Sequence, residues 1–181
     1  MDKRVLRSER SKDALKCAFT DLLKTLEPEE ITVVELCKKA GLNRSTFYAH
    51  YDYIDMLVRD VLRENLEDVY ANLGDQWALP LENGGVDLAV IEDYINRFLN
   101  NAVLQRFCTC ENSGKYITLI AQLQVGITLG PASDPVRYYY AFFHNAGVLN
   151  LVLEWLGNGK SIPMEKIVEI VHEYSKTLYR S

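Results

Sequence analysis

The side chains best suited to grip another molecule fall in one short stretch: Arg44, Ser45, Thr46, Tyr48 and His50, between Asn43 and Tyr53. An arginine reads guanine edges or holds a phosphate, serine and threonine hydroxyls bond to either, and tyrosine and histidine reach phosphate oxygens. The chemistry on offer is polar contact with a nucleic acid. Catalytic patterns are missing from the sequence. No serine or cysteine nucleophile sits in a recognisable elbow, and neither a glycine-rich phosphate loop nor a carboxylate pair stands out. The cysteines at 17, 37, 108 and 110 and the histidines at 50, 144 and 172 show no ligand spacing, and Cys108-Thr-Cys110 is tighter than the usual zinc knuckle. Cys17 and Cys37, set among aliphatic residues, read as small core residues. The expectation is no catalytic residue, no metal and no cofactor.

What must position that stretch is helical. Residues 8–26 place Leu15, Ala18, Phe19, Leu22, Leu23 and Leu26 on one face, and Pro28 stops the helix. Thr32 with Glu35 three residues on is a capping box for a helix from Val33 to Lys39, and Ala40-Gly41 ends it. Asn43 then caps Arg44–Tyr51, and Asp52 caps a long helix to about Asn72. A short glycine-containing connection sets two helices at a steep angle, so the second can enter a major groove. Leu36, Ala40, Leu42 and Phe47 would pack this pair, leaving the polar side chains outward. The amide ends at Asn43 and Asp52 are further candidates for phosphate.

Residues 73–86 carry glycines and a proline without a helical stripe, and read as a hinge or loop. Helices are expected at about Asp87–Phe107, Ser113–Thr128 and Asp134–Leu156. A last one, with Pro163 in its first turn, would run to Tyr179 with Ile167, Ile170, Val171, Tyr174 and Leu178 on one face. The fold expected is all-α: an N-terminal three-helix unit, 1–52, and a helical body, 53–181. The chain of 181 residues is 48% hydrophobic with net charge −5, ordinary for a globular protein. Residues 1–60 hold 11 basic and 11 acidic residues, so the deficit lies entirely in 61–181. An acidic body with a neutral, locally basic end still binds DNA, because counterion release depends on the local contact surface. No apolar run is long enough for a bilayer, and no secretory signal opens the chain; the expected address is the cytoplasm.

The stretch ITVVELCKKAGLNRSTFYAHYDYIDML resembles the signature of TetR-family regulators, with Thr32, Ala40, Gly41, Asn43, Thr46, Phe47, Tyr48, His50 and Leu57 in register. The resemblance covers about residues 8–60. It implies a homodimer whose two recognition helices read a palindromic operator on double-stranded DNA, and a C-terminal region that binds a small effector. Its DNA-binding set here is Thr32, Asn43, Arg44, Ser45, Thr46, Tyr48, His50 and Tyr53, and the regulator expected is a repressor. One position departs. Where the family carries a lysine that contacts phosphate, this chain has Ile54. Tyr53, Arg44 or the basic N-terminal arm (Lys3, Arg4, Arg7, Arg10, Lys12) would have to compensate. A regulator that acts through another protein is the alternative raised by that loss.

Phe143, Gly147, Trp155 and Gly159 fall on a second pattern, similar to the branch of the family that includes activators of dihydroxyacetone kinase operons. It implies that the last two helices pair with their symmetry mates in a four-helix bundle. Ala146, Gly147 and Asn150 would let two helices approach closely; the alternative is that Gly147 only relieves a contact within the chain. The expected effector pocket lies within residues 87–156, lined by Tyr94, Phe98, Tyr116, Tyr139, Phe143 and His144. With no cationic cluster there, the expected effector is small and apolar or aromatic.

Overall fold

Every regular element is a helix, and the first follows from the apolar stripe that opens the chain. In the computed structural model the described residues are 3–71, 73, 86–129 and 134–178, with the side chains of 3, 4, 177 and 178 left out. They form nine α-helices and no strand. Helix α1 (Lys3–Leu22) buries Leu15, Ala18, Phe19 and, just past its end, Leu23. It begins earlier and ends earlier than expected. The chain leaves it through a turn at 23–26, and Pro28 instead opens a short 3-10 helix, Pro28–Glu30. The basic residues expected as an arm therefore belong to α1. Cys17 was expected in the core and is exposed on it; its position falls on the outer side of the stripe that Ala18 and Phe19 bury.

Helices α2 (Val33–Ala40), α3 (Arg44–Tyr48) and α4 (Ile54–Tyr70) follow. α1 packs on both α2 and α3, and α2 on α3. Leu57, Val58, Val61, Leu62, Leu66 and Val69 give α4 a continuous buried stripe at helical spacing.

The expected helix at 87–107 is two helices, α5 (Leu88–Asn100) and α6 (Ala102–Thr109). Asn101 takes an extended conformation between them, and its side-chain oxygen accepts the Leu104 N–H at 2.9 Å. Its amide donates to Asn65 Oδ1 at 3.0 Å. Asparagine competes with the helix by bonding to nearby backbone, and here that competition wins.

Helices α7 (Ser113–Leu129), α8 (Pro135–Gly157) and α9 (Met164–Leu178) complete the described chain. α7 packs on α6 and α8, and α9 on α5 and α8. Asp134 caps α8 by accepting the Val136 N–H. At the other end Gly159 (φ +66°) and Lys160 (φ +56°) are both left-handed, and the Trp155 indole donates to the Ile162 carbonyl at 2.7 Å. Pro163 precedes α9 rather than standing in its first turn. Its buried side chains are Ile167, Val168, Val171 and Ser175, whereas Ile170, expected inward, is 46% exposed. His172 Nδ1 donates to the Val86 carbonyl at 2.6 Å, and the Val86 N–H donates to Ser175 Oγ at 3.4 Å. Both backbone groups of Val86 are thereby held by α9. The expected hinge falls largely at 74–85, outside the described residues, as do Gly130-Pro131 and Tyr179.

By its contacts the chain divides into two compact units, Met1–Leu62 and Arg63–Ser181. Among the described residues no helix is long and apolar enough to cross a membrane.

Candidate nucleic-acid interface

The polar stretch around α3 is set in place by caps and two buried anchors. At the start of α2 the Thr32 hydroxyl accepts the Glu35 N–H, and Glu35 Oε2 takes the Thr32 N–H, both at 3.2 Å. A cap of this kind contributes about 1 kcal/mol. α2 ends in Gly41, left-handed at φ +66°, with the Leu42 N–H reaching back to the Cys37 carbonyl at 2.9 Å. A residue with a Cβ is disfavoured in that conformation, which is why the turn falls at the glycine. Leu36 and Phe47 are fully buried and pin α2 and α3. Ala40 and Leu42, also expected to pack the pair, are half-buried.

α3 is shorter than expected. Its regular part stops at Tyr48, and Asn43 stands in the cap position without a side-chain cap bond; only its carbonyl is used, accepting from Thr46 and Phe47. Asp52 lies two residues before α4, which opens with the Met56 N–H on the Tyr53 carbonyl. Tyr51, beyond α3, is buried. Its hydroxyl donates to Asp60 at 3.2 Å, Asp60 pairs with Lys12 at 2.6 Å, and the Lys12 ammonium lies 5.5 Å from the Tyr51 ring centre. This contact joins the end of α3 to α1 and α4, and it occupies Lys12.

With those anchors inward, Thr32, Asn43, Arg44, Ser45, Tyr48 and Tyr53 are exposed, and Thr46 and His50 half-buried. Tyr48 is 50% and Tyr53 60% exposed. All but Thr32 come from one segment, and the Thr32 hydroxyl is spent on Glu35, donating to its carboxylate at 2.9 Å. Lys38 and Lys39 at the end of α2 are exposed as well, Lys39 lying 3.6 Å from Asp21. Ile54, in place of a lysine, is half-buried at the start of α4. Sequence reasoning missed one neighbour of this surface. Ser11 Oγ on α1 lies 2.7 Å from His50 Nε2, a contact across 39 residues that no spacing announces.

The six residues expected to line an effector pocket separate into two groups. Tyr94, Phe98, Tyr116 and His144 are buried, whereas Tyr139 is 70% and Phe143 59% exposed. The Tyr94 ring lies tilted against Tyr70 at 5.6 Å and Phe98 at 6.2 Å between ring centres, and the Gln124 amide donates to its hydroxyl. Burial holds the Tyr94 phenol well above its ordinary range, with the Gln124 bond opposing it. Burial also pulls His144 down to about 4, so the imidazole is neutral at pH 7. Cys108 is pushed up to about 12, first by burial and then by the neighbouring Cys110. A thiol held protonated is a poor nucleophile and a poor metal ligand. Among the described residues no three His, Cys, Asp or Glu side chains are grouped to hold a metal ion.

No family model matches the chain, and no curated protein matches it.

Proposed function

We propose that this chain is a TetR-type transcriptional regulator, a repressor that binds a palindromic operator as a homodimer and is released by a small effector. The observation that carries it is the surface built on α2 and α3. Buried Leu36 and Phe47 fix a short helix whose remaining side chains, Arg44, Ser45, Thr46 and Tyr48, are all donors open or partly open to solvent. A five-residue helix that spends one residue on packing and exposes the rest is better explained by a partner with base edges and phosphates than by stability. Residues 1–52 would be the DNA-binding domain and 53–181 the effector and dimer domain.

The homodimer is supported by a second surface. Val136, Tyr139, Tyr140, Phe143 and Gly147 recur along the exposed side of α8 at helical spacing, and Ile170 is exposed on α9. An apolar groove of about 230 Å³ lies between the helices, lined by Gly147, Val148, Leu151, Ile170, Val171 and Tyr174. A Cβ built on Gly147 would meet nothing within 4 Å, so the glycine relieves no contact within the chain. A two-fold interface places one such patch on its own copy, aromatic ridge against groove. Tyr139 and Phe143 belong to that surface.

Effector binding is assigned to the interior of the second unit, around Tyr94, Phe98, Tyr116 and Gln124. The Gln124 side-chain oxygen Oε1 is buried without a hydrogen-bond partner among the described residues, a place for one donor on an otherwise apolar or aromatic molecule. Release follows if the effector shifts the two recognition helices away from one DNA turn, about 34–36 Å. The experiment is selection of bound duplexes from a random pool, followed by anisotropy titration at low salt. A recovered palindrome bound by two chains is expected. Failure to enrich any sequence overturns the assignment.

A further inference from the structure

We propose that Ser11 is a positioning residue for the DNA contact of His50, fixing which ring nitrogen carries the proton. The inference rests on the DNA-binding function above and extends it to a residue of α1 outside the recognition segment.

A serine hydroxyl has one proton to give. That of Ser11 is directed at the Ser8 carbonyl, 2.8 Å away, and the same oxygen lies 2.7 Å from His50 Nε2. With its own proton given to Ser8, the Ser11 oxygen can only accept from His50. Nε2 therefore carries a hydrogen, and in the neutral ring Nδ1 carries a lone pair. No described residue takes Nδ1.

A phosphate oxygen accepts and does not donate, so neutral His50 held in this way has nothing to offer it. The contact forms only after Nδ1 gains a proton, giving an imidazolium whose two N–H groups go to Ser11 and to phosphate. The alternative is for Ser11 to turn its hydroxyl onto Nε2, moving the ring hydrogen to Nδ1 and giving up the bond to Ser8. That costs one hydrogen bond, equivalent to roughly fivefold to tenfold in affinity. Operator binding is thereby coupled to proton uptake at His50, and Ser11 is the cause. Arg7 stands one turn before Ser11 on α1, Tyr51 has its ring centre 6.3 Å from that of His50, and Tyr51 in turn touches Lys12 and Asp60. The last two neutralise one another at 2.6 Å.

Two measurements test this on the full chain. Imidazole nitrogen NMR of the free protein reads the tautomer without DNA: His50 is expected as Nε2–H, shifting toward a mixture in Ser11→Ala. Anisotropy with a fluorescein-labelled selected palindrome, at constant salt from about pH 5.5 to about pH 8, reads the consequence. Affinity is expected to fall about tenfold with rising pH in the unmodified chain and about twofold in Ser11→Ala. Ser11→Thr, which keeps the hydroxyl, restores the full dependence, and His50→Gln abolishes it. An Nδ1–H tautomer in the free protein, or equal pH profiles for the unmodified chain and Ser11→Ala, overturns the proposal. The expected tautomer with no duplex bound at any pH shows instead that the DNA-binding assignment has failed, and the role of Ser11 falls with it.

Discussion

The two units differ in the polar side chains they bury. In Met1–Leu62 the fully buried side chains are apolar apart from the Tyr51 hydroxyl, and the donors stand outside around α3. Among the described residues of Arg63–Ser181, the polar side chains Gln124, His144, Asn145 and Ser175 are buried, while Tyr139, Phe143 and Ile170 stand outside, as Tyr48 and Tyr53 do in the first unit. Burying a polar group costs free energy unless it is paired, and exposing a large aromatic forgoes about 1.5–3 kcal/mol of burial. On the function proposed above, the first unit would meet a polyanion, and the second apolar matter.

That contrast breaks most sharply at the apolar face. Phe143→Glu is expected to yield monomers in analytical ultracentrifugation and to weaken operator binding by about 100-fold, since the second half-site no longer benefits from linkage. Unchanged mass would show that the exposed aromatics have another purpose. On the polar side, Arg44→Ala should cost about 1–3 kcal/mol in operator affinity. If Arg44 holds phosphate rather than a base edge, the loss is uniform across sequences and the salt slope falls by about one. Helical signal and melting should be unchanged, because Arg44 is exposed.

The buried His144 of the second unit predicts an acid sensitivity. Burial holds folded His144 down at about 4, against its ordinary value of 6.5 in the unfolded chain. The unfolded chain therefore binds the proton more readily between those values. The stability due to neutral His144 is whole above about pH 6.5 and is lost as pH falls toward 4, by roughly 2–3 kcal/mol. Urea unfolding at pH 7 and pH 4.5 should show this loss in the unmodified chain and a smaller one in His144→Gln; equal losses would remove His144 as the cause. The smallest effect expected is at the cap of α2. Thr32→Ala should lower stability by about 1 kcal/mol in the same assay, and a neutral result would mean the cap contributes nothing.

What the sequence disclosed depended on how local the cause was. The capping box at Thr32–Glu35, the left-handed Gly41 and the buried Leu15, Phe19, Leu36 and Phe47 each follow from residues within a turn or two of one another. So did the all-helical class and the exposed set around α3. The break at Asn101 did so only in part: its cap on the Leu104 N–H is local, but its second tie comes from Asn65, 36 residues away. The Ser11–His50 contact was hidden for the same reason. The outward position of Tyr139 and Phe143 was hidden for another. α8 is apolar on nearly every side, so its periodicity names no inward face, and aromatic residues there read equally as pocket wall or as surface. Cys17 shows the reverse error, a small residue placed inward by its neighbours although the stripe passes beside it.

The break at Asn101 also bears on how this part of the chain tolerates change in length. Within a continuous helix one inserted residue turns everything after it by about 100° and carries the apolar face away from its partners. At Asn101 the backbone leaves helical geometry, so α5 and α6 hold their angular phases independently. An added residue at that joint would be absorbed there, leaving Tyr94 and Phe98 on one side and Leu104 and Phe107 on the other still facing the core. Asn101 therefore acts as an expansion joint between two helices whose faces were set separately.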